Sequence, residues 1–144
     1  MAEALAQAAP AASAGPRRPR LLLIDDEPLV GRFIAHAAEE CGYEAIVTIS
    51  AESFRARYAA ADPDVVAVDL ALPGCDGVEL LRFLAGQKCR ARVLIVSGFD
   101  PRVLESALHL GEAMGLDMAG TLTKPVRLQA LADALGPAAA EAAR

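Results

Sequence analysis

Five polar residues stand at the ends of apolar runs, where a fold could gather them. Asp25 and Asp26 close the run that begins at Leu21, Asp69 closes Val65–Asp69, Ser97 closes Val93–Ser97, and Lys124 follows Ala119–Thr123. An aspartate is ionised at neutral pH, so it can attack an electrophilic phosphorus without a separate base. Three carboxylates in one pocket repel each other, and a hard divalent cation relieves that repulsion. Magnesium, or manganese in its place, takes carboxylate, carbonyl, water and phosphate oxygens. Asp26 and Asp69 are the expected direct ligands, the Ala71 backbone carbonyl a third, and Asp25 a ligand through water. Lys124 would bring a mobile positive charge to a phosphoryl group, and Ser97 a hydroxyl donor. Such a set suits phosphoryl transfer, which depends on positioning and charge neutralisation. Taken singly, each residue has an ordinary role as a cap, turn or loop; their joint placement carries the functional reading.

The elements that must position them alternate along the chain. Strands are expected at Leu21–Asp25, Glu44–Ile49, Val65–Asp69, Val93–Ser97 and, more weakly patterned, Ala119–Thr123. Helices are expected near 28–41, 51–60, 77–86, 101–114 and 126–135. Pro28 and Pro101 suit first helical turns, Ser50 an N-cap, and Gly42, Gly86, Gly115 and Gly136 helix ends. This is a (βα)5 pattern, and right-handed crossovers then give a three-layer, doubly wound α/β fold. Its expected sheet is flavodoxin-like and parallel, in the order 2-1-3-4-5. The site would lie at the carboxyl ends of the strands, beside the switch between strands 1 and 3. Residues 1–19 read as a flexible Ala/Pro-rich tail, 20–135 as the domain and 136–144 as a frayed end.

Composition narrows the function classes. The 144 residues are 54% hydrophobic and 23% charged, within the globular range. Net charge is −5, and the basic residues are scattered apart from Arg17-Arg18-Pro19-Arg20 and Lys88, Arg90 and Arg92, expected as a solvated tail and loop. Binding to nucleic acid is not expected. No apolar run reaches membrane-spanning length, and Asp25-Asp26-Glu27 interrupts the run that could mimic a signal peptide. Cys41, Cys75 and Cys89 show no metal-binding spacing and suit reduced thiols in a cytoplasmic protein.

Four segments resemble the receiver domain of bacterial two-component response regulators. They are Leu21–Glu27, the stretch Val66-Ala-Val-Asp69-Leu-Ala-Leu-Pro73-Gly74-Cys75-Asp76-Gly77, Leu94–Gly98, and Leu122-Thr-Lys124-Pro125. The resemblance spans about residues 20–135. It implies transfer from the histidine of a kinase or phosphotransfer protein to Asp69 with Mg2+, pairing of Lys124 with the phosphoryl group, movement of Ser97 towards it, and a cis Lys124-Pro125 bond. It also implies a downstream effector meeting the helix 4–strand 5–helix 5 face, and a monomer or a phosphorylation-linked dimer. With no output domain expected, the chain would catalyse only its own phosphorylation and dephosphorylation. Three departures alter these expectations. Thr121 stands where the family often has a switch aromatic; Ala71 and Phe99 occupy positions that tune dephosphorylation, so a long-lived phosphoryl group is expected; and Pro101 to Gly120 is several residues longer than usual for helix 4 and its following loop, which suits a longer core helix or an altered partner face. The segment from Gly120 to Val126 also resembles receivers that accompany cyclic-di-GMP phosphodiesterase modules.

Two other readings use parts of the same pattern. A haloacid-dehalogenase-like phosphotransferase would place its nucleophile in a DxD motif after strand 1, but Glu27 stands two places after Asp25. A pseudo-receiver that only binds partners would explain Thr121 but not the complete acidic set with Lys124. His36 and His109, both expected on helices, suit packing or solvent better than phosphate donation.

Overall fold

The structure is a computed structural model that describes residues 17–72 and 77–136. It contains, in order, β1 (Arg20–Ile24), α1 (Pro28–Glu40), β2 (Glu44–Thr48), α2 (Ala51–Ala61), β3 (Val65–Asp69), α3 (Gly77–Gly86), β4 (Arg92–Ser97), α4 (Pro101–Ala113), β5 (Asp117–Thr123) and α5 (Leu128–Leu135). The strands form one parallel sheet in the order β2-β1-β3-β4-β5, the doubly wound topology that the alternation implies.

The period-two geometry of a strand sends alternate side chains to opposite faces, and a covered parallel sheet needs both faces apolar. Leu21, Leu23, Val65, Ala67, Leu94 and Val96 point to one face, where they pack with Ile34, Ala37 and Ala38 of α1 and Leu131 and Leu135 of α5. Leu22, Ile24, Val66, Val68 and Val93 point to the other, against Phe54 of α2 and Leu80, Leu81 and Leu84 of α3. Ile95 meets Leu104 and Ala107 of α4 on a smaller core. The central strands are thus buried on both faces, which fixes their carboxyl ends in space.

Several boundaries differ from expectation for local reasons. Strand β1 stops at Ile24, and Asp25 continues it only through its N–H to the Thr48 carbonyl at 3.1 Å. Strand β2 ends at Thr48 because Ser50 already caps α2, its side chain accepting from the Ser53 N–H. Lys88, with φ of 55°, takes the left-handed position after α3 rather than Gly86. Helix α4 ends at Ala113, one residue short of the expected 114, so a longer helix does not take up the stretch to Gly120. The extra length goes to β5, which begins at Asp117 and carries a bulge, since Met118 pairs with Val93 but Gly120 with Leu94. The bulge turns Met118 towards α4, where Gly111 leaves room that a Cβ would fill. Helix α5 begins at Leu128 because Arg127 keeps the extended backbone of an N-cap.

Lys88 and Arg90 are exposed, as expected of a solvated loop, but the arginines at the strand starts are held. Arg17 pairs with Asp64 at 3.2 Å, and Arg18 donates to the Tyr43 carbonyl at 2.7 Å. Arg20 pairs with Glu44, and Arg92 opens β4 and donates to the Leu135 carbonyl at 2.6 Å. Residues 1–16 and 137–144 of the expected tails lie outside the described residues.

Candidate functional site

One local device is repeated at three strand ends. Asp25 Oδ1 accepts from the Glu27 N–H at 2.9 Å, Asp69 Oδ1 from the Ala71 N–H at 2.9 Å, and Ser97 Oγ from the Phe99 N–H at 3.3 Å. Short polar side chains favour this bond to the backbone two residues on, and it turns the chain out of the strand. The device also spends one oxygen of each aspartate on the loop and leaves Oδ2 for the crevice. The turn after β5 is fastened separately, by the Lys124 N–H to the Ser97 carbonyl at 2.9 Å, and Lys124-Pro125 is cis, as the resemblance implied.

The Lys124 ammonium sits among three carboxylates. Its Nζ lies 2.7 Å from Glu27 Oε1, 2.9 Å from Asp25 Oδ2 and 3.1 Å from Asp69 Oδ2. Burial would lower the Lys124 pKa, but its close contacts with Glu27, Asp25 and Asp69 outweigh it and drive the value up. Asp69 moves up as well. Its burial dominates, the Ala71 N–H and Lys124 pull it down, and the Asp25 charge adds to the rise. Each shift follows from the side that prevails: partners for the lysine, desolvation for the aspartate.

A divalent cation fits these residues. One carboxylate oxygen from each of Asp25, Asp26 and Asp69 lies within 4.8 Å of the other two. Asp25 Oδ2 is fully buried, and its ion pair with the Lys124 ammonium at 2.9 Å lacks hydrogen-bond geometry, so its lone pairs are not fully met among the described residues. A buried carboxylate oxygen in that state is costly, and a cation or its water would satisfy it.

The oxygens open into a cleft of about 500 Å3 lined by Asp26, Glu27, Asp69, Ala71, Gly98, Phe99 and Lys124. The sequence-derived set therefore converges. Asp25 and Ser97 do not line the cleft: both are fully buried behind its wall, Ser97 with its hydroxyl accepting from the Phe99 N–H. Thr121 is half-buried and lines a neighbouring cleft that adjoins at Lys124. Pro73, Gly74, Cys75 and Asp76 lie outside the described residues. Sequence reasoning missed the contact of Glu27 with Lys124. The signal was a third acid directly after Asp25-Asp26, at the start of a helix. It also missed an apolar cleft of about 240 Å3 beside the site, between Leu29 and Phe33 of α1 and Pro125 and Val126.

Fold and crevice together define a flavodoxin-like signalling module with its acidic end at the switch between β1 and β3. The chain belongs to the response regulator receiver domain family, which it matches over residues 21–136, and so to phosphorylation-type, two-component signalling. It is 28% identical over 106 residues to the alkaline phosphatase synthesis transcriptional regulatory protein PhoP of Bacillus subtilis, covering 74% of this chain and 42% of that protein. It is 30% identical over 129 residues to the phosphate regulon transcriptional regulatory protein PhoB of Pseudomonas aeruginosa, covering 85% and 55% respectively. The chain thus spans about half the length of these relatives. A solved response regulator from Colwellia psychrerythraea superposes with a TM-score of 0.67 at 28% identity, over 81% of this chain and 93% of that one.

Proposed function

We propose that this chain is a switch that accepts a phosphoryl group on Asp69 from a phosphohistidine of a histidine kinase or phosphotransfer protein, with Mg2+ present. The carrying observation is that Asp69, 2% exposed, keeps Oδ2 on the cleft with Lys124 Nζ 3.1 Å away and the Asp25 and Asp26 carboxylates beside it. Asp26, Asp69 and the Ala71 carbonyl would hold the cation directly and Asp25 through water, and the cation would neutralise charge on the phosphoryl oxygens. An Asp69 oxygen attacks phosphorus while the P–N bond breaks, its electron pair staying on the imidazole nitrogen. Lys124 offers its ammonium to the transferred group. Ser97 can follow only by giving up its bond to the Phe99 N–H, which would shift the loop that leads into α4.

Exposed Leu29 and Phe33, next to Lys124 and Pro125, support a donor docking through an apolar contact beside the cleft. Exposed Val103, Leu110 and Leu128 support an effector on the α4–β5–α5 face. Because Thr121 has no ring to turn, the path to that face runs through Ser97 and Phe99. Ala71 presents only a methyl group to an attacking water, which supports a slow loss of the phosphoryl group. Among the described residues no helix is long and apolar enough to cross a membrane, and the reduced-thiol pattern supports a cytoplasmic location.

Phosphotransfer from the host's histidine kinases tests this reading. Radiolabel should reach the wild type with Mg2+, remain for minutes or longer, and be absent from Asp69→Ala. Label on Asp69→Ala, or none on the wild type from any donor, would overturn the assignment; decay within seconds would overturn the slow-loss claim alone.

A further inference from the structure

Glu27 is the third acid of the site, and its geometry differs from that of the other two partners of Lys124. Asp25 and Asp69 are 0% and 2% exposed, whereas the Glu27 side chain is 58% exposed. Its backbone is fixed: the N–H donates to Asp25 Oδ1 at 2.9 Å, and the carbonyl accepts from the Gly31 N–H at 3.0 Å. Only the side chain is free to move, and it makes the shortest contact of the ammonium, at 2.7 Å. Lys124 is tied at its own N–H to Ser97, so its ammonium is likewise the moving part.

We propose that Glu27 is a positioning residue that shares the Lys124 ammonium with Asp25 and Asp69 and competes for it with a phosphoryl group on Asp69. The inference rests on Asp69 being the phosphoacceptor. A phosphoryl group on Asp69 brings new anionic oxygens to the ammonium that Glu27 already holds, and the two compete for its N–H donors. Glu27 thus weakens the hold of the site on its phosphoryl ligand. A partly exposed ion pair sets a modest scale, about two- to fivefold in affinity.

The test titrates the full chain, saturated with Mg2+, with beryllofluoride as the phosphoryl mimic, followed by amide NMR. Glu27→Gln removes the charge. Glu27→Asp keeps the charge and shortens the reach. If the contact matters, both variants bind beryllofluoride about two- to fivefold more tightly, and the gain vanishes in a Lys124→Ala background. The Lys124 Nζ resonance of the unliganded protein should also shift in both variants. If Glu27→Asp matches the wild type, or the gain persists without Lys124, through-space repulsion explains the effect and the proposal is overturned. Unchanged or weaker binding, or an unmoved Nζ resonance, overturns it as well. A wild type that ignores beryllofluoride, or an Asp69→Ala that still binds it, refutes the phosphoacceptor reading itself and the role of Glu27 with it.

Discussion

Burial raises the Asp69 carboxyl above its ordinary value of 3.8, Asp25 adds to the rise, and the Ala71 N–H with Lys124 offsets it only in part. Between that ordinary value and the raised one, the folded protein binds more protons than the unfolded chain. Stability therefore falls as pH rises through that window, and the penalty is complete above the raised value. Asp69→Asn removes the penalty, and Lys124 keeps Asp25 and Glu27 as partners. In chelator, urea denaturation at pH 7 should show the variant more stable than the wild type, with the difference shrinking on acidification towards pH 4. Equal stability at pH 7 would mean that Lys124 already neutralises the site. The convergence of Asp25, Asp26, Asp69 and Lys124 was legible in the sequence because each sits at a strand end in a fold that gathers strand ends. The bond between Glu27 and Lys124 was not: it joins residues 97 positions apart and depends on how two long side chains turn.

At the level of elements, the loop after β3 is held by a close approach. A Cβ on Gly77 would stand 2.6 Å from the Leu70 Cα, a backbone atom that cannot yield without moving the segment between Asp69 and Ala71. Gly77→Ala should therefore cost about 1–3 kcal/mol, the usual scale of overpacking, and also weaken beryllofluoride binding. Urea denaturation and the same NMR titration check both effects; a destabilised variant with unchanged binding would separate the packing from the site. The apolar runs made β1, β3 and β4 plain in the sequence, since strands buried on both faces have little choice of residue. Strand β5 was harder to place. The bulge at Ala119 breaks its alternation, and Gly120 has φ of 140°, so its first residues read as an extension of α4. The end of α3 at Gly86 was legible from that glycine, whereas the start of α5, set by the extended backbone of Arg127 without an oxygen-bearing cap, left no signal in the sequence.

On the scale of the whole molecule, the two ends of the sheet carry opposite electrostatic designs. At the carboxyl end, Asp25, Glu27 and Asp69 crowd around Lys124, with Asp26 beside the two aspartates, and among the described residues Lys124 is the one cation paired with them. At the amino end the charges are matched: Arg17 with Asp64, Arg20 with Glu44, and Arg92 bridging the carbonyls of Ala134 and Leu135 and the Tyr43 hydroxyl. The Tyr43 hydroxyl itself donates to the Leu135 carbonyl at 2.9 Å, so the end of α5 is gripped both from β4 and from the turn before β2. One end thus contributes to holding the fold, and the other stores repulsion that a ligand can relieve. Arg92→Ala should cost about 1.5–3 kcal/mol, the worth of charge-assisted hydrogen bonds. Arg92 opens β4 and Ser97 closes it, which puts the clamp about 16 Å from the site at ~3.3 Å per residue. At that separation the effects should add to within about 0.5 kcal/mol. Mg2+ at about 100 times its dissociation constant should then stabilise wild type and Arg92→Ala alike, by about 2.7 kcal/mol. Urea denaturation of both proteins with and without Mg2+ measures the four stabilities. A variant that loses the Mg2+ gain would show instead that the grip on α5 reaches the acidic end and takes part in setting its geometry.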